Sequence, residues 1–100
     1  MKLNIYSDPG HAWCKVPRSM LVKYNIEDQI TSFSYQRGEY VYLEEDCDLG
    51  TLIQTLNAWG VTVQFKEFHT DKRSKIRSYS HYIRPRTSLP FKNGLDYMSN

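Results

Sequence analysis

Hydrophobic patterning predicts an α+β protein whose elements run strand, helix, strand, strand, helix, strand. Three observations carry that prediction. Lys2–Tyr6 and Val61–Phe68 alternate apolar and polar residues, as strands do. Leu49, Leu52, Ile53, Leu56 and Trp59 recur at helical spacing. Arg37–Gly38 divides the run from about Ile30 to Glu44 into two arms of a hairpin. This order is the split βαβ, ferredoxin-like arrangement: a four-stranded antiparallel sheet with two helices on one face. A helix-on-sheet variant with another strand order is the alternative.

Each element has its local reason. In Lys2–Tyr6, Leu3 and Ile5 share one face and Asn4 and Tyr6 the other. Ser7–Asp8–Pro9–Gly10 has the composition of a turn. Val16–Pro17 is expected to open a helix, because proline at the first helical position loses no hydrogen bond. That helix runs through Met20, Leu21 and Tyr24. Asn25 tolerates the left-handed conformation that ends it, and Ile26 follows as its apolar contact. Asp46 or Asp48 is expected to cap the second helix, which Gly60 stops. In the last strand Val61, Val63 and Phe65 share a face, with Thr62, Gln64 and Lys66 on the other.

At 100 residues the chain is read as a single domain, with an α+β body over 1–68 and a basic C-terminal segment over 69–100. The body carries 6 basic and 9 acidic residues through position 70; the remainder carries 7 basic and 2 acidic. A basic third on a mildly acidic body points to an anionic partner, or to neutralisation of the body by its own tail. Apolar content of 40% holds no run near the roughly 20 residues a membrane span needs, so no membrane partner is expected. The polar start, Met1–Asp8, does not read as a signal peptide, and Cys14 and Cys47 are expected as reduced thiols of a cytoplasmic protein.

Within residues 69–100, Ile76, Tyr79, Tyr82 and Ile83 are candidates for a short element. Leu89 and Phe91 are candidate anchors to the body. If Arg37–Gly38 is a two-residue turn, Tyr35 faces Tyr40 and Phe33 faces Tyr42, so four rings share one side of the hairpin. With Tyr6 and Lys66 they form an aromatic, helix-free face. Such a face stacks planar ligands, as RNA-binding sheets of this topology do, or it is covered by residues 69–100 or a second subunit. The glycine-and-aromatic signature of that RNA-binding family is absent.

The basic run Lys72, Arg73, Lys75, Arg77, Arg84 and Arg86 is interleaved with Tyr79, His81 and Tyr82. It suits phosphates and bases, an acidic protein patch, or a solvated surface. Asp8 and His11 sit in a loop where Asp8 either orients the imidazole for catalysis or bonds its own backbone. Glu44–Asp48 is acidic, which fits a helix start better than a divalent-ion loop. His11, Cys14, Cys47 and His69 lack paired-ligand spacing for zinc, so no metal and no cofactor is expected.

Several strings carry a resemblance: Tyr6–Trp13, Val16–Pro17–Arg18 with Leu21, Ser34–Tyr35–Gln36, Val41–Leu49, and Lys75–Tyr79. Together they resemble a family of small tailed-bacteriophage proteins that has no settled activity. The resemblance spans about residues 4–82 and implies a phage origin and the bacterial host cytoplasm. It carries over no catalytic residue. Small accessory phage proteins are often inhibitors of host machinery or of anti-phage defence. The leading expectation is therefore a non-enzymatic protein that binds and inhibits a host protein or ribonucleoprotein complex, in the manner of an anti-CRISPR. The expected contacts are Arg73, Lys75, Arg77 and Tyr79, then Tyr35, Tyr40, Tyr42 and Lys66. A second expectation is a nucleotide or RNA binder, including a sponge for a cyclic-nucleotide signal. A third is a small enzyme centred on Asp8 and His11.

Overall fold

The computed structural model describes residues 1–85; Arg86, Leu89 and Phe91 lie outside the described residues. Strands β1 (Lys2–Ser7) and β2 (Ala12–Pro17) form a hairpin. A short helix α1 (Arg18–Lys23) comes next. Strands β3 (Tyr35–Arg37) and β4 (Tyr40–Glu44) form a second hairpin. Helix α2 (Asp48–Ala58) leads to β5 (Gln64–His69), and a two-residue strand β6 (Ser80–His81) ends the described chain. The α+β class holds, but the four-stranded antiparallel sheet does not. The sheet has six strands in the order β5-β1-β2-β4-β3-β6, and β5 pairs with β1 in parallel.

Two strands account for the difference. The first is β2, which lies between β1 and β4 and makes antiparallel pairs with both. Its alternation is present in the sequence: Cys14 and Val16 are fully buried on the helix side, while Trp13 and Lys15 belong to the opposite side. Pro17 is its last residue and the N-cap of α1, not the first residue of a longer helix. Inserting one antiparallel strand reverses the direction of the later strands, so β5 returns parallel to β1. The second is β6, which adds to β3 through Tyr35–His81 and Gln36–Ser80.

The hairpin register also differs from expectation. Arg37 pairs with Tyr40 and Tyr35 with Tyr42, so Gly38–Glu39 make the turn. Gly38 has φ +57° and is the first central residue, a position where a II′ turn requires positive φ. Phe33 precedes the strand and is 71% exposed. The shift moves the turn by one residue, so Tyr35, Tyr40 and Tyr42 remain on one face.

The main core lies between sheet and helices. Leu3, Cys14, Val16, Val41 and Leu43 meet Leu21, Ile26, Ile30, Leu52 and Leu56. Asn25 adopts φ +56° and Gly60 φ +75°, ending α1 and α2 as their residue types allow. Trp59 does not join this core; it is 69% exposed and meets Tyr24 edge-on. Cys47 is the N-cap residue of α2 and makes no side-chain cap. Asp48 has another task. Its fully buried carboxylate accepts from Thr31 N–H (3.1 Å), Thr31 Oγ1 (2.8 Å) and Ser34 Oγ (2.5 Å), joining the loop before β3 to α2.

A smaller core occupies the other side of the sheet. After β5 the chain crosses this side to reach β6 at the opposite edge. On the way Ile76, 3% exposed, packs with Trp13 and Tyr42. Tyr79 tilts against Tyr42, with ring centroids 5.1 Å apart. His81 stacks on Tyr35 at 4.9 Å.

Candidate functional site: the crossed face and its clefts

Whether the rings bind or are covered has a divided answer. Tyr42 is 7% exposed beneath the crossing segment, and Tyr35 is half-buried beneath His81. Tyr40 remains 41% and Phe68 39% exposed.

Arg77 is committed inside the molecule. Its Nε donates to Asp8 Oδ2 (2.6 Å) and its Nη2 to Oδ1 (2.9 Å), and the guanidinium lies over the Trp13 ring. Asp8 also accepts from the backbone N–H groups of Gly10, His11 and Ser74, which makes five hydrogen bonds to one carboxylate. The guanidinium, aided by these N–H donors and opposed by burial, holds the Asp8 carboxyl well below the usual carboxylate range. Asp8 touches His11 through the backbone only and does not orient the imidazole. Arg77 therefore fastens the crossing segment, with its Nε and Nη2 donors both engaged by Asp8.

Three other cations lie over rings of this face, while Arg84 donates its Nε–H to the Ile30 carbonyl (3.0 Å) instead. Lys15 lies over Tyr40 at 4.2 Å, Arg37 over Tyr79 at 5.1 Å, and Lys66 over Phe68 at 5.3 Å. Two clefts share Tyr6, Lys75 and Ile76. One, of about 400 Å³, also takes in Lys15, Arg37, Glu39, Tyr40, Tyr42 and Tyr79. The other, of about 370 Å³, takes in Phe68, His69, Lys72 and Arg73. Register puts charges of both signs on the crossed face, where Glu44 pairs with Trp13. Lys66 pairs with Asn4 on the crossed face, whereas Glu67 pairs with Ile5 on the helix side. Glu27 and Asp28 lie in the 3₁₀ turn between Ile26 and Ile30, which belong to the helix-side core. Of the eight residues expected to bind, Arg73, Lys75, Tyr40 and Lys66 stand exposed on this face. Tyr79 and Tyr35 are half-buried there, Tyr42 is covered, and Arg77 is tied to Asp8.

A third cleft, of about 430 Å³, opens where the β1–β2 turn, the end of β4 and β6 converge. It is lined by His11, Trp13, Phe33, Tyr35, Glu44, Asp46, Cys47, Arg77 and His81. Patterning alone did not single out Trp13 or Phe33 as neighbours of Glu44 and Asp46, because only the β2–β4 and β3–β6 pairings bring them together. Among the described residues, no group of three His, Cys, Asp or Glu side chains is placed to hold a metal ion. Cys14 is sealed in the main core, and burial pushes its thiol up to about 12.

Compared with known proteins, the chain matches no family model, no curated protein and no solved structure. No helix among the described residues is long and apolar enough to cross a membrane.

Proposed function

We propose that this chain is a non-catalytic binding protein that docks its crossed sheet face on an anionic surface of a host nucleic-acid-processing or defence complex, and inhibits it. The observation that carries this reading is the gathering of Lys15, Arg37, Lys66, Lys72, Arg73 and Lys75 beside partly exposed rings on one side of the sheet. A net charge of only +2 makes that concentration a property of the face, not of the whole chain. The phage origin and host-cytoplasm setting come from the resemblance carried by strings such as Tyr6–Trp13 and Val41–Leu49.

The test is capture of the tagged chain from infected bacteria, with mass spectrometry of bound protein and sequencing of bound nucleic acid. The same chain carrying Arg73→Glu and Lys75→Glu is run beside it. The double reversal is expected to empty the captured set and abolish inhibition while leaving the circular-dichroism spectrum unchanged. An unchanged captured set and unchanged inhibition would sink the reading.

A second reading, direct binding of RNA or a nucleotide, including a cyclic-nucleotide signal, draws on the cation-over-ring pairs. Lys15 with Tyr40 and Lys66 with Phe68 each offer a phosphate contact beside a partly exposed ring. Phosphate contacts make affinity fall steeply with salt, so titrations of short RNAs and cyclic dinucleotides at two salt concentrations test it. No heat and no thermal shift at either concentration would count against it.

A further inference from the structure

The cleft at the end of β4 is chemically unlike the basic face beside it. Its walls are aromatic: Trp13, Phe33, Tyr35 and the His81 ring stacked on Tyr35. Phe33 is 71% exposed at its rim, a large ring with no place in either core. Its other side carries the carboxylates of Glu44 and Asp46, while the guanidinium of Arg77 is already paired with Asp8. The cleft therefore offers the exposed Phe33 ring together with acceptors.

Trp13 lines it as well. It is 2% exposed, and its indole N–H forms no hydrogen bond among the described residues. A buried donor left in that state is costly, so a ligand that supplies an acceptor there gains from the contact. Glu44 supports the acceptor side rigidly. Its Oε2 accepts from Asp46 N–H (3.1 Å) and its Oε1 from Asp48 N–H (3.4 Å), which leaves further lone pairs on both oxygens.

We propose that this cleft binds a guanine base, stacked against Phe33, with its N1–H and amino edge on the Glu44 and Asp46 carboxylates and its O6 toward the Trp13 indole. Guanine presents two adjacent N–H donors next to a carbonyl acceptor, which is the combination this lining lacks. Adenine and cytosine present one amino group, and uracil one ring N–H. Enzymes that read an unstacked base use the same division, stacking on the ring face and hydrogen bonds along the Watson–Crick edge. The inference goes beyond the docking reading: it uses none of the cations of the basic face and stands or falls separately from it.

The experiment uses the full chain with Trp59→Phe, which leaves Trp13 as the sole tryptophan. Trp59 is 69% exposed, so the change is expected to leave the fold intact. Trp13 fluorescence is followed while adding guanosine, adenosine, cytidine and uridine monophosphates, and separately a pentanucleotide with one central guanine among uridines. Saturable quenching by a guanine probe, with the other bases about tenfold weaker or worse, is the expected result. A response to the monophosphate identifies a free nucleotide as the source. A response confined to the pentanucleotide identifies an unpaired base within a strand. Phe33→Ala and Asp46→Asn alter exposed residues and are each expected to weaken binding about tenfold with the melting temperature unchanged. No fluorescence change with either probe at millimolar concentration overturns the site. Equal responses to all four bases, unaffected by Asp46→Asn, overturn the guanine assignment.

Discussion

Arg77 grips Asp8 across 69 residues of sequence, through a bidentate pair at 2.6 and 2.9 Å. Asp8 closes the β1–β2 turn, and Arg77 sits on the segment that crosses the sheet, so this pair fastens the cover over Trp13 and Tyr42. A carboxylate with 1% side-chain exposure that loses its partner is left charged in a place that excludes water.

Arg77→Ala is therefore expected to lower the melting temperature by about 10 °C or more, and to expose Tyr42 and Ile76. Differential scanning calorimetry with near-ultraviolet circular dichroism checks both. A shift within about 1 °C would show that the packing of Ile76 and Tyr79 and the Ser74 N–H bond hold the crossing segment without it.

The same pair sets the acid limb of stability. The folded carboxyl of Asp8 titrates below its unfolded value, so its contribution is fully present above the ordinary Asp range. It is lost as pH falls below about 4. Urea midpoints measured from about pH 7 down to about pH 2 are expected to fall more steeply in the wild type than in Asp8→Asn. Parallel curves for the two proteins would contradict the assignment.

Gly10 lies under this pair. A Cβ there would stand 2.8 Å from Arg77 Nη2, and that atom is pinned by Asp8 Oδ1. Gly10→Ala is expected to destabilise, by less than Arg77→Ala does, because the guanidinium can shift and keep part of the pair. The order of the two melting temperatures is the check.

Asp48 provides a second buried anchor. Asp48→Ala strands Thr31 N–H and the Ser34 hydroxyl and is expected to cost about 2–4 kcal/mol in urea unfolding. Ser34→Ala also removes the acceptor for Glu44 N–H, bonded at 3.0 Å, and is expected to cost about 1–3 kcal/mol.

The two thiols are expected to differ under alkylation at neutral pH. Cys14 has no exposure and a thiol pushed up to about 12, so iodoacetamide modifies it only in denaturant. Cys47 is accessible but slow: burial, then the charges of Asp48 and Glu44, push its thiol upward. Intact mass spectrometry reads one addition in the native protein and two after unfolding.

The sequence by itself determined the faces. Leu49, Leu52 and Leu56 spell the core stripe of α2, Asn25 and Gly60 mark the helix ends, and alternation placed Tyr6, Tyr35, Tyr40, Tyr42 and Lys66 on the side away from the helices. These features are local, because a period of 3.6 or 2 and a positive φ depend on a few neighbouring residues. The Ala12–Pro17 alternation was equally local, but Pro17 obscured it by suiting a helix start as well as a strand end. Tertiary structure alone decided the strand order, the parallel β1–β5 pair and the route of the chain over the aromatic face. Asp8 with Arg77 and Ser34 with Tyr82 join residues far apart in sequence, and no local pattern encodes which distant partner a strand or carboxylate meets. For the same reason the basic residues were legible as a run, while the tie of Arg77 to Asp8, and the meeting of Phe33 and Trp13 with Glu44 and Asp46, came only from folding.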